Sequence, residues 1–214
     1  MGSEMCIRDR YDMPPKPKFT REEITAAALR VISRNGITAL TAQTLGQELG
    51  SSARPIFTVF KTMEEVRQEA KTAAMHQFES FAEKAVHYMP AFKQFGMQMI
   101  LFALEEPHLY QLLFMQGDGR PHSFEEVFAG LGEPAGVCLD ILQREYGLVE
   151  TEAMALFRHV WIYTYGIATL CATGMCRFSE EEINDLLGQD FMAMLVRVKS
   201  GGLNQQTPHP MLKS

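Results

Sequence analysis

The sequence predicts an all-α protein of about nine helices. Apolar residues recur three and four positions apart along most of the chain, which is the spacing of one helix face. A Ser or Thr stands three residues before a Glu at several places, and this pair is typical of a helix start. Alternating apolar and polar residues, which would indicate strands, are nearly absent. Of the 214 residues 46% are hydrophobic, which is enough to bury a core.

Composition also limits where the protein works. No stretch reaches 18 apolar residues free of charges and helix breakers, so we expect no membrane span. The start of the sequence lacks an apolar signal segment, so we expect no secretion. Four cysteines are too few for a disulfide scaffold and suit a reducing compartment, which predicts a cytoplasmic protein. We expect neither a metal nor a cofactor.

The charge of −6 is unevenly distributed along the chain. Residues 16–61 hold seven basic and three acidic residues, whereas residues 72–214 hold nine basic and seventeen acidic ones. A basic module on an acidic body indicates a polyanionic partner for the first part only. Chance segregation of charge is the alternative, and charge alone does not separate the two.

Both ends are set apart from the helical chain. Residues 1–15 are interpreted as a leader, artefactual or disordered, because residues 5–10 back-translate to a transposon end used to attach sequencing adaptors. We expect native sequence to begin by about Met13. Residues 200–214 are rich in Gly, Asn, Gln and Pro and are expected to form a flexible tail.

The basic module, residues 16–61, predicts three short helices. Thr20 is the expected N-cap of the first, which ends at Gly36. The second covers 42–49 and the third covers 53–60, with Ser52 as its cap and Pro55 in its first turn. The three-residue turn at 50–52 has the length found in a helix-turn-helix motif.

A helix-turn-helix motif places the N-terminus of its second helix in the DNA major groove. Ala53, Arg54 and Pro55 would then lie at base edges, and Arg54 is the long donor that could bind guanine. The hydroxyls of Thr41 and Ser52 would meet phosphates, and Lys61 would add another phosphate contact. The alternative is an ordinary helical hairpin with capped ends. Spacing alone does not decide between these two interpretations.

The acidic body, residues 62–199, predicts a linking helix over 62–87 and then further helices. The expected positions of those later helices are 91–105, from Pro107, 123–130, about 135–146, 151–173 and 180–199. Fourteen Met and fourteen Phe predict an adaptable apolar interior with a pocket for a small organic effector. The predicted pocket residues are Met99, Phe102, Trp161 and Tyr165. Plain core packing is the alternative for each of them.

The last two helices also suit dimer formation. A stripe on the final helix and the small residue Gly166 on the helix before it would build a four-helix bundle from two chains. The stripe consists of Ile183, Leu187, Phe191, Met194 and Val198. The alternative is that this stripe packs only on its own domain.

Residues 19–70 resemble the DNA-binding region of the TetR/AcrR family of transcriptional regulators. The resemblance rests on FTREEI at 19–24, AAAL at 26–29, GITALT at 36–41, LGQELG at 45–50 and IFTVFK at 56–61. It implies an N-terminal helix-turn-helix domain joined by a linking helix to an all-α ligand-binding and dimerisation domain. By position, the implied DNA contacts are Thr41, Gln43, Ser52, Ala53, Arg54, Pro55, Phe57, Thr58 and Lys61.

Four positions depart from the family pattern. Phe57 stands where the family usually has Tyr, Val59 where it often has His, and Met63 where it often has Lys. Ser51 replaces a small apolar residue. Phosphate contacts are lost at Phe57 and Met63, which predicts weaker non-specific DNA affinity.

The second half of the chain resembles one subgroup of this family. The matching runs are PAFK at 90–93, FALEEP at 102–107, YGIATL at 165–170 and FSEEE at 178–182. That subgroup carries a Trp–His–Gly signature near Trp161, and Tyr165 stands where its His would be.

Together these features predict a homodimeric, ligand-responsive transcriptional regulator. We expect a repressor that an organic effector releases from a palindromic operator in double-stranded DNA. The alternative is a small-molecule or thiol-redox sensor, using Cys171 and Cys176, with weakened or vestigial DNA binding. We do not expect an enzyme, because the G-x-S-x-G, H-E-x-x-H and P-loop motifs are absent from the sequence.

Overall fold

The computed structural model describes residues 17–117, 119–131 and 133–201. The predicted leader at 1–15 and all but two residues of the predicted tail at 200–214 lie outside the described residues. Within them the chain forms α-helices and two short 3₁₀ segments, Ile37–Ala39 and Ile56–Thr58, and no strand. The α-helices are α1 (Arg21–Asn35), α2 (Ala42–Glu48), α3 (Met63–Ser80), α4 (Ala82–Ala85), α5 (Ala91–Glu105), α6 (Pro107–Phe114), α7 (Phe124–Gly130), α8 (Glu133–Tyr146), α9 (Glu150–Ala172) and α10 (Glu180–Lys199).

The all-α prediction is confirmed. The described part holds ten α-helices, or nine when α3 and α4 are counted as the single linking helix that the sequence predicts. A turn at Phe81 separates these two, and the Phe81 N–H donates to Phe78 three residues back instead of four. The predicted break at 130–136 is shorter than expected, because α8 already begins at Glu133.

Polar caps fix where several helices begin. The Thr20 hydroxyl accepts the Glu23 N–H at 3.2 Å, and the Glu23 carboxylate accepts the Thr20 N–H at 2.8 Å. Ser123 starts α7 and Ser179 starts α10 in the same reciprocal way. Thr62 caps α3 through one bond only, since Glu65 accepts the Lys61 N–H instead.

The prediction of a third α-helix over residues 53–60 is wrong. The segment is a 3₁₀ turn, with N–H groups of 56–59 each donating to the carbonyl three residues back. Thr58 Oγ1 also donates to the Pro55 carbonyl at 2.6 Å, an oxygen that an α-helix would use for its own ladder. Ile56, Thr58 and Val59 are β-branched and disfavour a helix too short to recover its nucleation cost. Ser52 forms no cap here.

Two apolar clusters make the core. The larger one joins the N-terminal helices to α3, α5 and α6, and the smaller one lies between α8, α9 and α10. Phe102 lies in the larger cluster, with its ring centroid 5.3 Å from that of Phe78 and 5.2 Å from that of Phe81, both edge-to-face. These contacts fix the linking helices against α5. In the described ranges no helix is long and apolar enough to cross a membrane.

Candidate functional site

The residues predicted to contact DNA share one exposed stretch of the N-terminal bundle. Thr41, Gln43, Ser52, Arg54, Phe57, Thr58 and Lys61 are all exposed, and Ala53 and Pro55 are half-buried. Phe57 shows 46% of its surface to solvent and lies within this stretch. The placement is therefore compatible with contact to a macromolecule.

Internal ion pairs bind several of the basic side chains in this bundle. Arg30 and Arg34 share Glu48, at 2.6 Å and 2.9 Å, and Arg21 holds Glu65 and Glu69, at 3.1 Å and 2.9 Å. Among the described residues, Arg54 and Lys61 form no side-chain ion pair or hydrogen bond. Their charges are therefore available to an anionic partner.

Two of the three carboxylates in these pairs, Glu48 and Glu65, have lowered pKa values. Hydrogen bonding from Arg30, and then from Arg34, holds the pKa of Glu48 below its usual value against a weaker desolvation effect. The pKa of Glu65 is lowered first by the Lys61 backbone N–H and then by Arg21. Both carboxylates are thus stabilised in their charged form.

Gly46 positions the turn that precedes the 3₁₀ segment. A Cβ at this position would lie 3.0 Å from the Ala53 nitrogen and the Ser52 carbonyl carbon. Only glycine lets α2 approach that backbone so closely. The Thr41 hydroxyl accepts the Thr44 N–H at 3.1 Å, so it caps α2 while remaining exposed.

The body contains a cavity of about 240 Å³ between α5, α9 and α10. Its wall is mainly aromatic and aliphatic. The lining includes Phe92, Phe95, Phe157, Val160, Leu187 and Phe191. The cavity is also lined by three residues with polar side-chain atoms, Lys93, Thr164 and Trp161.

Two further cavities adjoin this one. A space of about 870 Å³ lies among α3, α5, α6, α7 and α9, and one of about 350 Å³ lies between α5 and α8. Phe95 lines all three cavities, and Trp161 lines the first and the 870 Å³ space. These two side chains are therefore shared between the walls of neighbouring cavities.

The predicted pocket residues divide into two pairs. Trp161 and Tyr165 line the 870 Å³ space and stack with ring centroids 5.2 Å apart. The Tyr165 hydroxyl donates to the Phe114 carbonyl on α6. Met99 and Phe102 are at most 2% exposed, lie in the larger core cluster and line none of the three cavities described here. Met99 and Phe102 are therefore core residues in this structure, as the core-packing alternative expects.

The predicted dimer stripe is covered by the chain itself. Ile183, Leu187, Phe191, Met194 and Val198 are all buried in the described chain, and Leu187 and Phe191 line the 240 Å³ cavity. Their side chains therefore pack within their own chain, which is the alternative stated for this stripe. The exposed apolar residues of the same two helices are Ile162, Met192 and Val196.

Gly166, a predicted interface residue, is also exposed in the described chain. Ile162 and Gly166 are one turn apart on α9, and Met192 and Val196 are one turn apart on α10. His159 Nε2 on α9 lies 3.1 Å from Asp190 Oδ1 on α10, a contact that connects the two helices.

A polar network joins the N-terminal bundle to the body. The Ser33 hydroxyl on α1 donates to Glu106 Oε2 at 2.6 Å, and Gln77 on α3 donates to Glu106 Oε1 at 3.2 Å. His108 Nδ1 lies 2.8 Å from the Ser33 carbonyl oxygen. The junction of α5 and α6 thus contacts both the bundle and the linking helix.

Cys171 and Cys176, the cysteines of the alternative redox function, differ in burial: Cys171 is buried and Cys176 is half-buried. Cys171 is buried, and burial raises the pKa of its thiol, with the nearby Cys176 adding to the effect. A raised thiol pKa lowers the thiolate fraction that reacts with oxidants. In the ranges described, no group of three or more His, Cys, Asp or Glu is placed to hold a metal ion.

Sequence reasoning missed the polar residues of the 240 Å³ cavity, Lys93 and Thr164. One signal was present, because Lys93 is the only charged residue in the otherwise apolar and amide-containing stretch 91–104. Thr164 gave no signal, since one Thr within an apolar helix is common. Phe157 and Tyr146 on the same wall were missed for a similar reason.

The C-terminal part of the chain has a recognisable family model. Residues 92–195 match the model described as tetracyclin repressor-like, C-terminal domain, which covers α5 through most of α10. No curated protein matches the chain. The more specific Trp–His–Gly subgroup remains a prediction. Residues 92–195, just under half of the chain, are thus similar to the C-terminal domain of tetracyclin repressor-like proteins.

Proposed function

We propose that this protein is a ligand-responsive, DNA-binding transcriptional regulator rather than an enzyme. It acts as a homodimeric repressor at a palindromic operator, in the cytoplasm at the nucleoid, and an organic effector releases it. Residues 16–61 serve as the DNA-binding domain, 62–87 as the linking segment, and 62–199 as the ligand-binding and dimerisation domain.

The observation that carries this proposal is the polar junction between the two proposed domains. Glu106 ends α5, which lines the 240 Å³ cavity, and it holds Ser33 of the N-terminal bundle and Gln77 of α3. A ligand that shifts α5 would therefore bias the position of the bundle. Such differential contact with two states is what coupling between sites requires.

Homodimerisation is proposed through the exposed faces of α9 and α10. Ile162, Met192 and Val196 are more than half exposed in the single chain, and Gly166 allows close approach of a partner helix. Two-fold symmetry would present two copies of the 53–60 segment to half-sites about 34–36 Å apart or multiples of that distance.

The experiment that tests the proposal is selection of random duplex DNA on the purified chain at two salt concentrations, followed by sequencing. We expect a palindrome whose half-site is retained at the higher salt. Recovery of only unspecific, salt-sensitive DNA would contradict sequence-specific regulation.

The second candidate is a small-molecule or thiol-redox sensor with vestigial DNA binding. It is favoured by the 3₁₀ geometry of 53–60 and by the hydrophobic Phe57 at an expected phosphate contact. Arg54→Ala separates the two candidates, with Arg177→Ala on the body as the matched control. If Arg54 binds a base, its loss costs about 1–3 kcal/mol of operator affinity and relaxes one base position. Equal behaviour of both variants would favour the sensor.

A further inference from the structure

The 240 Å³ cavity combines an apolar wall with one cationic side chain. Three Phe rings, Phe92, Phe157 and Phe191, contact one another along the wall. Lys93, on the same helix as Phe92, also lines the cavity. A ligand buried here would place most of its surface against carbon atoms and a small part against an ammonium group.

The Lys93 ammonium is held by neutral acceptors only. Its Nζ donates to the Asn184 carbonyl oxygen at 2.8 Å and to Asn184 Oδ1 at 2.9 Å. No carboxylate among the described residues forms an ion pair with it, although the exposed Asp185 is close enough to favour its charged form. An ammonium has three N–H donors, so one of them has no acceptor among the described residues.

Partial burial makes this charge costly. Burial lowers the pKa of Lys93, and this effect outweighs the opposite influence of Asp185. The two Asn184 oxygens that accept from Nζ and the nearby Asp185 favour the charged form of Lys93. A half-buried cation without a counter-ion is destabilised relative to one that is paired, and an anion in the cavity would relieve that cost.

Thr164 supplies a second polar group on the same wall. It is only 3% exposed, and its hydroxyl has no hydrogen bond to any described residue. A Cβ at Gly96 would lie 3.3 Å from this hydroxyl, and a Cβ at Gly188 would lie 3.1 Å from Lys93 Nζ. The two glycines therefore leave space beside the two polar groups.

We propose that this cavity binds an apolar molecule with a single anionic group, a monocarboxylate, held by the Lys93 ammonium and the Thr164 hydroxyl. The inference rests on the proposed function in that it names the chemical class of the effector. One cation balances one negative charge, so dianions and cationic ligands are disfavoured at this site. The aliphatic or aromatic part of the ligand packs on the Phe wall.

The protein carries its own reporter for this site. Trp161 is the single Trp of the chain and lines both this cavity and the 870 Å³ space, so its fluorescence reports ligand binding in either, and two lysine variants separate these sites. The experiment titrates the full chain at neutral pH, without DNA, with octanoate, octanol and octylamine. Octanoate is expected to bind about ten- to a hundredfold more tightly than octanol, the range for hydrogen bonds to a charged group. Equal binding of the two, or no binding of octanoate, overturns the proposal.

Two lysine variants locate the anion. Lys93→Met should lower octanoate affinity to that of octanol and leave octanol unchanged. Lys71→Met is the matched control, because Lys71 lines the neighbouring 870 Å³ space. A loss of octanoate preference in the Lys71 variant alone would place the anion in that space and overturn the proposal. If the Lys93 variant does not fold, Thr164→Val tests the same site, with a selective loss of octanoate affinity expected.

Failure of this inference is distinguishable from failure of the proposed function. The fluorescence titration contains no DNA, so a chain that lacks operator binding can still show octanoate preference. Conversely, recovery of a palindromic operator together with equal binding of octanoate and octanol would reject the carboxylate and keep the regulator.

Discussion

The Ser33 hydroxyl on α1 donates a 2.6 Å hydrogen bond to Glu106 at the junction of α5 and α6. This bond joins residues 73 positions apart in the sequence and connects the N-terminal bundle to the body. Its acceptor is a carboxylate and its surroundings are partly buried, which makes it stronger than a surface hydrogen bond. The bundle is thus held by a directed contact as well as by apolar packing.

We expect Ser33→Ala and Glu106→Gln each to lower the free energy of unfolding by about 1–3 kcal/mol, because each removes one partner of a charge-assisted bond. The double variant should lose little more than the larger single loss. Urea denaturation of the four proteins gives this cycle. Ser52→Ala is the control and should be neutral, because the exposed Ser52 hydroxyl forms no hydrogen bond to any described residue. Additive losses would show that the two side chains act independently.

Gly46→Ala should destabilise the N-terminal bundle by about 1–3 kcal/mol, because the added methyl meets backbone atoms that cannot rotate away. Gly130→Ala is the matched control, since a Cβ there has nothing within 4 Å. Its effect should be neutral or slightly stabilising, as alanine restricts the unfolded chain. Urea denaturation compares the two. Equal stabilities would mean that α2 and the 51–53 backbone are further apart than described.

Acid should weaken the bundle through Glu48. Its folded-state pKa is lowered, so its contribution is present above the unfolded value, about 4.3, and is lost as the pH falls through the lower folded value. Glu48→Gln should therefore be less stable than the parent at pH 7 and show a shallower loss of melting temperature on acidification. Glu181→Gln, an exposed carboxylate of α10, should follow the parent profile. A parallel profile for the Glu48 variant would contradict the assignment.

Val196→Glu should convert the proposed dimer to monomer, because it places a charge in the exposed apolar face of α10. Val137→Glu on α8, 49% exposed, is the matched control and should keep the parent's mass. Sedimentation equilibrium measures both. A dimer that survives the first change would indicate that α10 lies outside the interface.

Capping residues made the start of several helices predictable from sequence. The predicted range 180–199 coincides with α10, because Ser179 and Glu182 fix its start through local bonds alone. The 53–60 segment was harder, since a 3₁₀ turn and an α-helix share the same apolar positions. Competition by Thr58 for the Pro55 carbonyl decides between them.

Tertiary placement was less predictable than the helices themselves. The stripe from Ile183 to Val198 correctly marks an apolar face, but periodicity does not say whether the same chain or a second one covers it. Likewise, Met99 and Trp161 were candidates on equal terms. Only packing shows that the first is enclosed by side chains and the second lies on a cavity wall.

The shared position of Phe95 and Trp161 in the walls of neighbouring cavities has a consequence for ligand size. If these rings rotate, the 240 Å³ cavity opens into the 870 Å³ space. The volume available to a ligand then increases in one step instead of gradually. For a series of ligands with increasing chain length, affinity should first rise and then level off when the 240 Å³ cavity is full. It should rise again once the ligand chain is long enough to displace the ring of Phe95 or Trp161. The two aromatic side chains would thus act as a movable wall, so one protein could respond to short and long members of the same chemical class.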